Sequence, residues 1–214
     1  MLLTVSPEEL TLLPGSEVTL RDQSWDDYES ILESRGDNAA IKVYFNGANQ
    51  EISLMAPMAG HGRRIDTLSS LVKALLQHQN RDWDSAHPII FKRPSSAGAE
   101  PDASFYIQNW PAISGKERID LKQDPPPDLA IEVDLTSLTH RNIYRILGVS
   151  ELWIYRNEAL SIYVLSKGKY EDSEVSPTFS TIDVKSILPR YVELAWSTCT
   201  SRALRDFDTF LSSL

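Results

Sequence analysis

Apolar residues recur with a helical period in several parts of the chain. The longest stretch predicts a long amphipathic helix packed against a sheet, through His61, Ile65, Leu68, Leu71, Val72, Leu75 and Leu76. Nearer the start, Ser6-Pro7-Glu8-Glu9 predicts a helix start, and Ser24 with Asp27 resembles a capping box that opens a helix ending at Gly36. A last stripe predicts a C-terminal helix, through Leu204, Phe207, Leu211 and Leu214.

Between the helical stretches, short apolar or alternating runs predict strands. Two of them flank Asn46-Gly47, which predicts a hairpin of Ala40–Phe45 with Glu51–Met55. Three further runs are the predicted centre of one sheet: Pro88–Lys92, Ala103–Ile107 and Asp128–Asp134.

The following segment predicts a crossover between two parallel strands. Ser137 can cap a helix that runs to Leu147 and stops at Gly148, and Val149–Tyr155 is the next predicted strand. The whole order predicts an α/β (mixed α+β) fold with a central mixed β-sheet flanked by helices.

Length and composition limit the classes of protein. The 214 residues predict a single domain, 1–214, with an N-terminal helical extension (1–36), a core over about 40–170 and a C-terminal helix (200–214). One cysteine, no signal peptide and no long apolar run predict a cytoplasmic protein without a membrane segment. The net charge of -9 opposes general nucleic-acid binding, so any such function must be local.

Carboxylates occupy one side of a predicted strand. In Asp128–Asp134 the two-residue period sends Glu132 to the face opposite Ile131, and Asp102 begins the neighbouring strand. Acids that converge there would favour a hard divalent cation, Mg²⁺ or Mn²⁺, bound through oxygen. Alternatively, acids at alternate positions are simply the solvated face of a half-buried strand.

Three segments in this order resemble the Uma-two family (Uma2) of proposed bacterial restriction endonucleases, within the PD-(D/E)xK nuclease superfamily. They are Glu100–Ile107, Asp124–Ser137 and Ile143–Trp153, and the resemblance extends over about 43–170. It implies a restriction-endonuclease-like core and a metal-dependent endonuclease acting on DNA. Asp102 matches the acid of the PD motif and Glu132 that of the (D/E)xK motif, and both acids and the Val133 carbonyl would hold Mg²⁺ or Mn²⁺.

The resemblance breaks where the superfamily has its lysine. Asp134 stands there and cannot act as an ammonium does, although it could add an acceptor for the metal or its waters. The missing cation would come from His140 or Arg141 on the next helix, or from Lys92. If none of them replaces it, the chain is instead a catalytically degenerate nuclease-fold protein that acts as a binding or regulatory module.

Other features stay open or argue against alternatives. His61 resembles a family histidine beside the active site, or simply bonds a loop at the helix end. The histidines and the single cysteine lack zinc spacing, and no phosphate loop or acyl-transfer motif is present. Basic pairs such as Arg63-Arg64 are more often solvated than phosphate-binding. By analogy with enzymes that cut both strands of a duplex, we expect a homodimer.

Overall fold

The computed structural model describes residues 12–36, 41–135 and 139–214. Its helices and strands are, in chain order, β1 (Glu17–Leu20), α1 (Trp25–Arg35), β2 (Lys42–Asn46), β3 (Glu51–Met55), α2 (Ala59–His78), β4 (Asp84–Ser85), β5 (Phe91–Arg93), β6 (Ala97–Ala99), β7 (Ala103–Tyr106), α3 (Trp110–Ile113), β8 (Leu129–Val133), α4 (Arg141–Leu147), β9 (Glu151–Arg156), β10 (Ala159–Ser166), β11 (Lys169–Ser173), α5 (Val184–Ser197) and α6 (Thr200–Leu211). The helix start predicted at Ser6 and the cap predicted at Ser137 lie outside the described residues.

The strands of the described residues form two sheets. The first has the order β1-β3-β2-β6-β5 and is antiparallel throughout. The second has the order β11-β10-β9-β8-β7-β4, and in it β8 and β9 are parallel while the other pairs are antiparallel. The predicted mixed α/β fold is therefore confirmed, as is the parallel crossover through α4.

Helix ends follow the predicted local chemistry. Ser24 caps α1: its side chain accepts from the Asp27 N–H, and the Asp27 side chain accepts in return from the Ser24 N–H at 2.7 Å. At the end of α4, Gly148 takes the left-handed conformation with a φ of 88°, which only glycine adopts without steric cost. The predicted hairpin is also present, as β2 and β3.

Two details differ from the sequence prediction. Residues 17–20 lie in the segment predicted as a helical extension, but they form β1, which pairs with β3. The run predicted as Pro88–Lys92 forms only Phe91–Arg93, and this strand lies at the edge of the first sheet instead of beside β7. A hydrophobic run predicts that a strand exists but does not specify its partner. The sequence therefore predicts one central sheet where the described residues form two.

Helices cover the outer faces of the two sheets. One face of the second sheet packs Leu129, Ile131 and Val133 against α2, α5 and α6, and its other face turns Ala130 towards α4 and the first sheet. On the far side of the first sheet, α1 buries Tyr28. The space between the sheets is therefore lined by the face of β8 that carries Glu132. No helix of the described residues is long and apolar enough to cross a membrane.

Candidate active site

Strand pairing brings Asp102 and Glu132 together. Ala103 of β7 lies opposite Ile131 of β8, so the residue before Ala103 lies beside the residue after Ile131. One Asp102 oxygen, Oδ2, accepts the Val133 N–H at 2.7 Å. Side-chain exposure is 1% for Asp102, and Glu132 is 3% exposed. These acids are thus buried, and the solvated-face alternative does not hold for them.

Two nitrogen-bearing side chains from other elements reach Asp102. The Lys42 ammonium, from β2, contacts Asp102 Oδ1 and donates to the Glu100 carbonyl at 3.2 Å. From the first turn of α2, His61 Nε2 lies 2.8 Å from Asp102 Oδ2. His61 therefore lies beside the candidate site, as the family resemblance implied, and not merely against a loop.

Lys42 is the residue that the sequence analysis missed. It stands on a strand of the first sheet, and the alternation of β2 places Val43 and Phe45 against α1 while Lys42 and Tyr44 face the second sheet. The available indication of Lys42 was the alternation of β2, which has a polar face opposite a strongly apolar face. Its partner could not be inferred, because the contact joins strands of different sheets.

Two tyrosines surround Glu132. Tyr144 of α4 donates its hydroxyl to Glu132 Oε1, and the Tyr44 hydroxyl lies 3.5 Å from the same atom while donating to the Glu100 carbonyl at 3.2 Å. Burial and the nearby Glu132 charge raise the pKa of both phenols well above the ordinary value. The tyrosines are therefore neutral donors that fix the orientation of the carboxyl group.

The two acids titrate in opposite directions. Burial favours the protonated form of Asp102, but Lys42 and His61 outweigh burial and hold the pKa of Asp102 well below its ordinary value. For Glu132, burial and the neighbouring Asp102 charge raise the pKa well above normal. Burial disfavours the Lys42 cation, but the Asp102 and Glu132 charges prevail and raise its pKa. The site thus holds a Lys42–Asp102 ion pair beside Glu132, a carboxyl group that burial and the Asp102 charge make harder to ionise than an ordinary glutamate.

The other predicted residues have distinct surroundings. Asp134 accepts the Thr139 hydroxyl at 2.6 Å and the Thr139 N–H at 3.0 Å, so both of its oxygens bind Thr139. His140 is exposed and lines a cavity of about 20 Å³ together with Glu132 and Asp134. Arg141 lies farther out, with its guanidinium 4.3 Å from the centre of the Tyr163 ring.

Three charged residues near the site have structural partners instead. Lys92 Nζ lies 3.0 Å from Glu29 Oε1, so Lys92 does not supply the missing cation. The Glu100 carboxylate lies 2.6 Å from Arg35 Nη1. Asp128 accepts three consecutive backbone N–H groups after β7, at 2.6 to 3.0 Å, from Ile107, Gln108 and Asn109.

The groups here that could hold a small hard cation are two carboxylates and one backbone carbonyl. No group of three or more His, Cys, Asp or Glu side chains arranged for a metal is present in residues 12–36, 41–135 and 139–214. A cation would thus depend on two carboxylates, a backbone carbonyl and water, which is a usual Mg²⁺ set. Because the Val133 N–H points at Asp102, strand geometry turns the Val133 carbonyl the same way. Without a bound cation, the Lys42 ammonium balances negative charge on these buried carboxylates.

Comparisons with known proteins identify a family for this chain. The family model "Uma2: Putative restriction endonuclease" matches residues 25–197, which include both acids. A solved structure from Anabaena variabilis ATCC 29413, described as "a putative nuclease belonging to DUF820", has 14% sequence identity and a TM-score of 0.47, with 70% of this chain and 90% of that chain covered. No curated protein matches.

Proposed function

The chain belongs to the Uma2 family, and on that premise we propose that it is a metal-dependent endonuclease that hydrolyses phosphodiester bonds in DNA. The observation that carries the proposal is the buried pair of Asp102 and Glu132 on adjacent strands. Placing two acids together away from water costs stability, and a shared catalytic role gives that cost a reason.

The metal ligands we propose are Asp102, Glu132 and the Val133 carbonyl, with Mg²⁺ or Mn²⁺ as the cofactor. A divalent cation supplies a water of lowered pKa and neutralises charge on the transferring phosphoryl group. The chain itself supplies the orientation: the Val133 N–H and the Lys42 ammonium hold Asp102, and the Tyr144 hydroxyl holds Glu132.

We propose that Lys42 takes the place of the superfamily lysine. Asp134 cannot provide positive charge, while the Lys42 ammonium already touches the first acid of the motif. An ammonium there holds Asp102 ionised and would place positive charge beside the metal ligands, where a bound phosphoryl group would develop negative charge. Beside Glu132, the cavity of about 20 Å³ has room for about one water, with His140 at its edge as a polar partner.

The test is cleavage of duplex DNA with added Mg²⁺ or Mn²⁺. Asp102→Asn and Glu132→Gln should each lower the cleavage rate at least about a hundredfold, with unchanged melting curves excluding unfolding. Asp206→Asn, which alters an exposed acid of α6, is the matched control and should cleave normally. If wild-type protein cleaves no DNA with either metal, or if both site variants retain full activity, the proposal is wrong.

One observation favours the second candidate, a degenerate nuclease fold that acts as a binding or regulatory module. The Lys42 ammonium and the Val133 N–H already satisfy both oxygens of Asp102 without a metal. Calorimetry with Mn²⁺ separates the two functions: a nuclease site binds the ion and loses it on Glu132→Gln, whereas a degenerate site binds none.

We also propose a homodimer, because two active sites related by symmetry can cut both strands of a duplex. Sedimentation equilibrium measures the mass directly. A species of twice the 24.1 kDa chain supports the dimer, and a monomer at every concentration contradicts it.

A further inference from the structure

An open groove lies next to the candidate site. Its volume is about 540 Å³, and it is lined by residues of β2, the following turn, the start of α4 and β11: Asn46, Asn49, Thr139, His140, Arg141, Asn142, Arg145, Lys169 and Tyr170. Exposed side chains on its rim include Arg141, Arg145 and Lys169. A concave surface of this size accommodates an extended polar ligand without rearrangement of the fold.

The charge of this groove differs from that of the chain. The protein carries a net charge of -9, yet none of the described residues that line the groove is an aspartate or glutamate. The lining instead combines three cations with amide and hydroxyl groups. These are the side chains that contact phosphate and sugar oxygens in nucleic-acid complexes.

Neighbouring groups hold both arginines of α4 in place. Arg145 donates to the Asn142 side-chain oxygen through Nε at 2.9 Å and Nη2 at 2.7 Å. Arg141 lies over the Tyr163 ring, 4.3 Å from its centre. Neither arginine forms an ion pair with a described acid. Ordered, unneutralised guanidinium groups lose less conformational entropy when they bind an anion.

The other basic pairs near the core lie elsewhere or have partners of their own. Arg64 lies 3.9 Å and Arg63 4.6 Å from the centre of the Trp196 ring. Lys92 pairs with Glu29, and Arg93 donates to the Leu147 carbonyl at 3.2 Å. The pair on α4 is distinguished by its position, because Arg141 and Arg145 line the groove beside the Glu132 cavity, whereas Arg63 and Arg64 line a separate pocket beside Trp196.

The groove adjoins the candidate active site. Thr139 and His140 line both the groove and the small cavity that contains Glu132. Thr139 also donates to Asp134, which ties the groove wall to the end of β8. An anion in the groove would therefore lie next to the cavity that contains Glu132.

We propose that this groove binds the sugar-phosphate backbone of a nucleic-acid strand, with Arg141, Arg145 and Lys169 contacting phosphates and the amides contacting sugar or phosphate oxygens. The inference rests on the proposed nuclease function, since it defines where that substrate enters. Binding is confined to one face, because the remaining surface of an acidic protein repels a polyanion.

The test is fluorescence anisotropy with labelled oligonucleotides in EDTA, where cleavage cannot occur. Arg141→Gln with Arg145→Gln should weaken binding about tenfold or more. Arg202→Gln with Arg205→Gln removes two exposed arginines from α6 and should leave affinity unchanged. Single-stranded and duplex forms of DNA and RNA are compared, and the form that binds most tightly identifies the substrate.

The groove proposal is overturned if the α4 double variant binds as tightly as wild type, or if wild type does not bind. An equal loss of affinity in both double variants overturns the proposal too, because binding would then depend on overall charge and not on the position of the arginines. Cleavage is scored separately: tight, groove-dependent binding without cleavage contradicts the nuclease proposal alone, while cleavage by a normally binding α4 variant contradicts the groove alone.

Discussion

At the scale of the residue, the contact between Lys42 and Asp102 changes the interpretation of the site. Asp134 stands where the sequence motif has lysine, and the candidates near it in the chain were His140 and Arg141. In the fold, the ammonium that meets the motif acid comes from sixty positions earlier. Sequence order suggested the two acids because adjacent strands carry them, but it could not suggest a partner from another sheet.

Lys42 should also control how strongly the site attracts a divalent cation. Lys42→Met removes the positive charge that balances Asp102, so we expect Mn²⁺ to bind more tightly, by about tenfold, while DNA cleavage falls. Isothermal titration calorimetry measures the first effect. Lys42→Arg keeps the charge and should retain wild-type Mn²⁺ affinity, and Lys185→Met is the control for loss of a half-buried lysine that pairs with Glu174 away from the site.

A merely structural Lys42 would give a different result. In that case Lys42→Met would weaken Mn²⁺ binding together with thermal stability, and Lys42→Arg would not restore either. Tighter binding of the ion by a less active enzyme is therefore the outcome that separates electrostatic balance from scaffolding.

At the scale of the element, local chemistry was predictable and strand partners were not. The capping box at Ser24, the left-handed Gly148 and the period of α2 all follow from nearby residues. Strand β1 was missed because it is four residues long and only half buried, so its pattern is weak. The division into two sheets depends on long-range pairing, which no local period contains.

Close packing between α1 and β6 gives a prediction about glycine. A Cβ built on Gly98 would meet the Tyr28 ring, with Cε1 at 2.7 Å and the hydroxyl oxygen closer still. Because Tyr28 is fully buried, Gly98→Ala should lower the free energy of unfolding by about 1–3 kcal/mol. Urea denaturation measures the change.

The matched substitution is Gly62→Ala, in the first turn of α2. A Cβ there meets nothing within 4 Å, and alanine is the better helix former. We expect this variant to be more stable than wild type by about 0.5–1 kcal/mol. A stable Gly98→Ala protein would show that α1 does not pack on β6 as described.

The cap of α1 predicts a pH dependence. Hydrogen bonds from the Ser24 side chain and backbone lower the pKa of Asp27 below the ordinary value of 3.8. The stabilisation is therefore complete above that value and is lost as the pH falls through the folded-state pKa. Asp27→Ala should cost about 0.5 kcal/mol at pH 7, since the group is exposed, and almost nothing in strong acid.

Asp26→Ala is the control for that experiment. Both aspartates lie exposed in the first turn, so both substitutions remove a negative charge near the helix start, but only Asp27 completes the capping box. Chemical denaturation at neutral and acid pH gives the comparison. A difference between Asp27→Ala and wild type that stays constant with pH would mean that the ionised capping group contributes no stability.

At the scale of the whole molecule, charge and architecture act together. The sequence identified an acidic protein whose nucleic-acid function had to be local, and it identified the two acids and the parallel crossover beside them. It could not show that α4 and β11 place their cations along one groove. That convergence depends on how β11 returns to the edge of the second sheet, where Lys169 and Tyr170 come near α4.

The small number of cations in the groove predicts that nucleic-acid binding depends only weakly on salt concentration. Each neutralised phosphate contributes a slope of about -0.9 for duplex DNA and about -0.7 for a single strand, in a plot of log affinity against log salt concentration. Three groove cations, Arg141, Arg145 and Lys169, therefore predict slopes of about -3 and about -2. Anisotropy titrations at several salt concentrations without metal give the slope.

The α4 double variant should retain about one phosphate contact, because only Lys169 remains, and its slope should fall to about -1. The double variant of Arg202 and Arg205 should keep the wild-type slope. A wild-type slope of about -6 or steeper would require roughly twice as many phosphate contacts as the groove has cations, and binding would then extend over a second surface or a second copy of the chain.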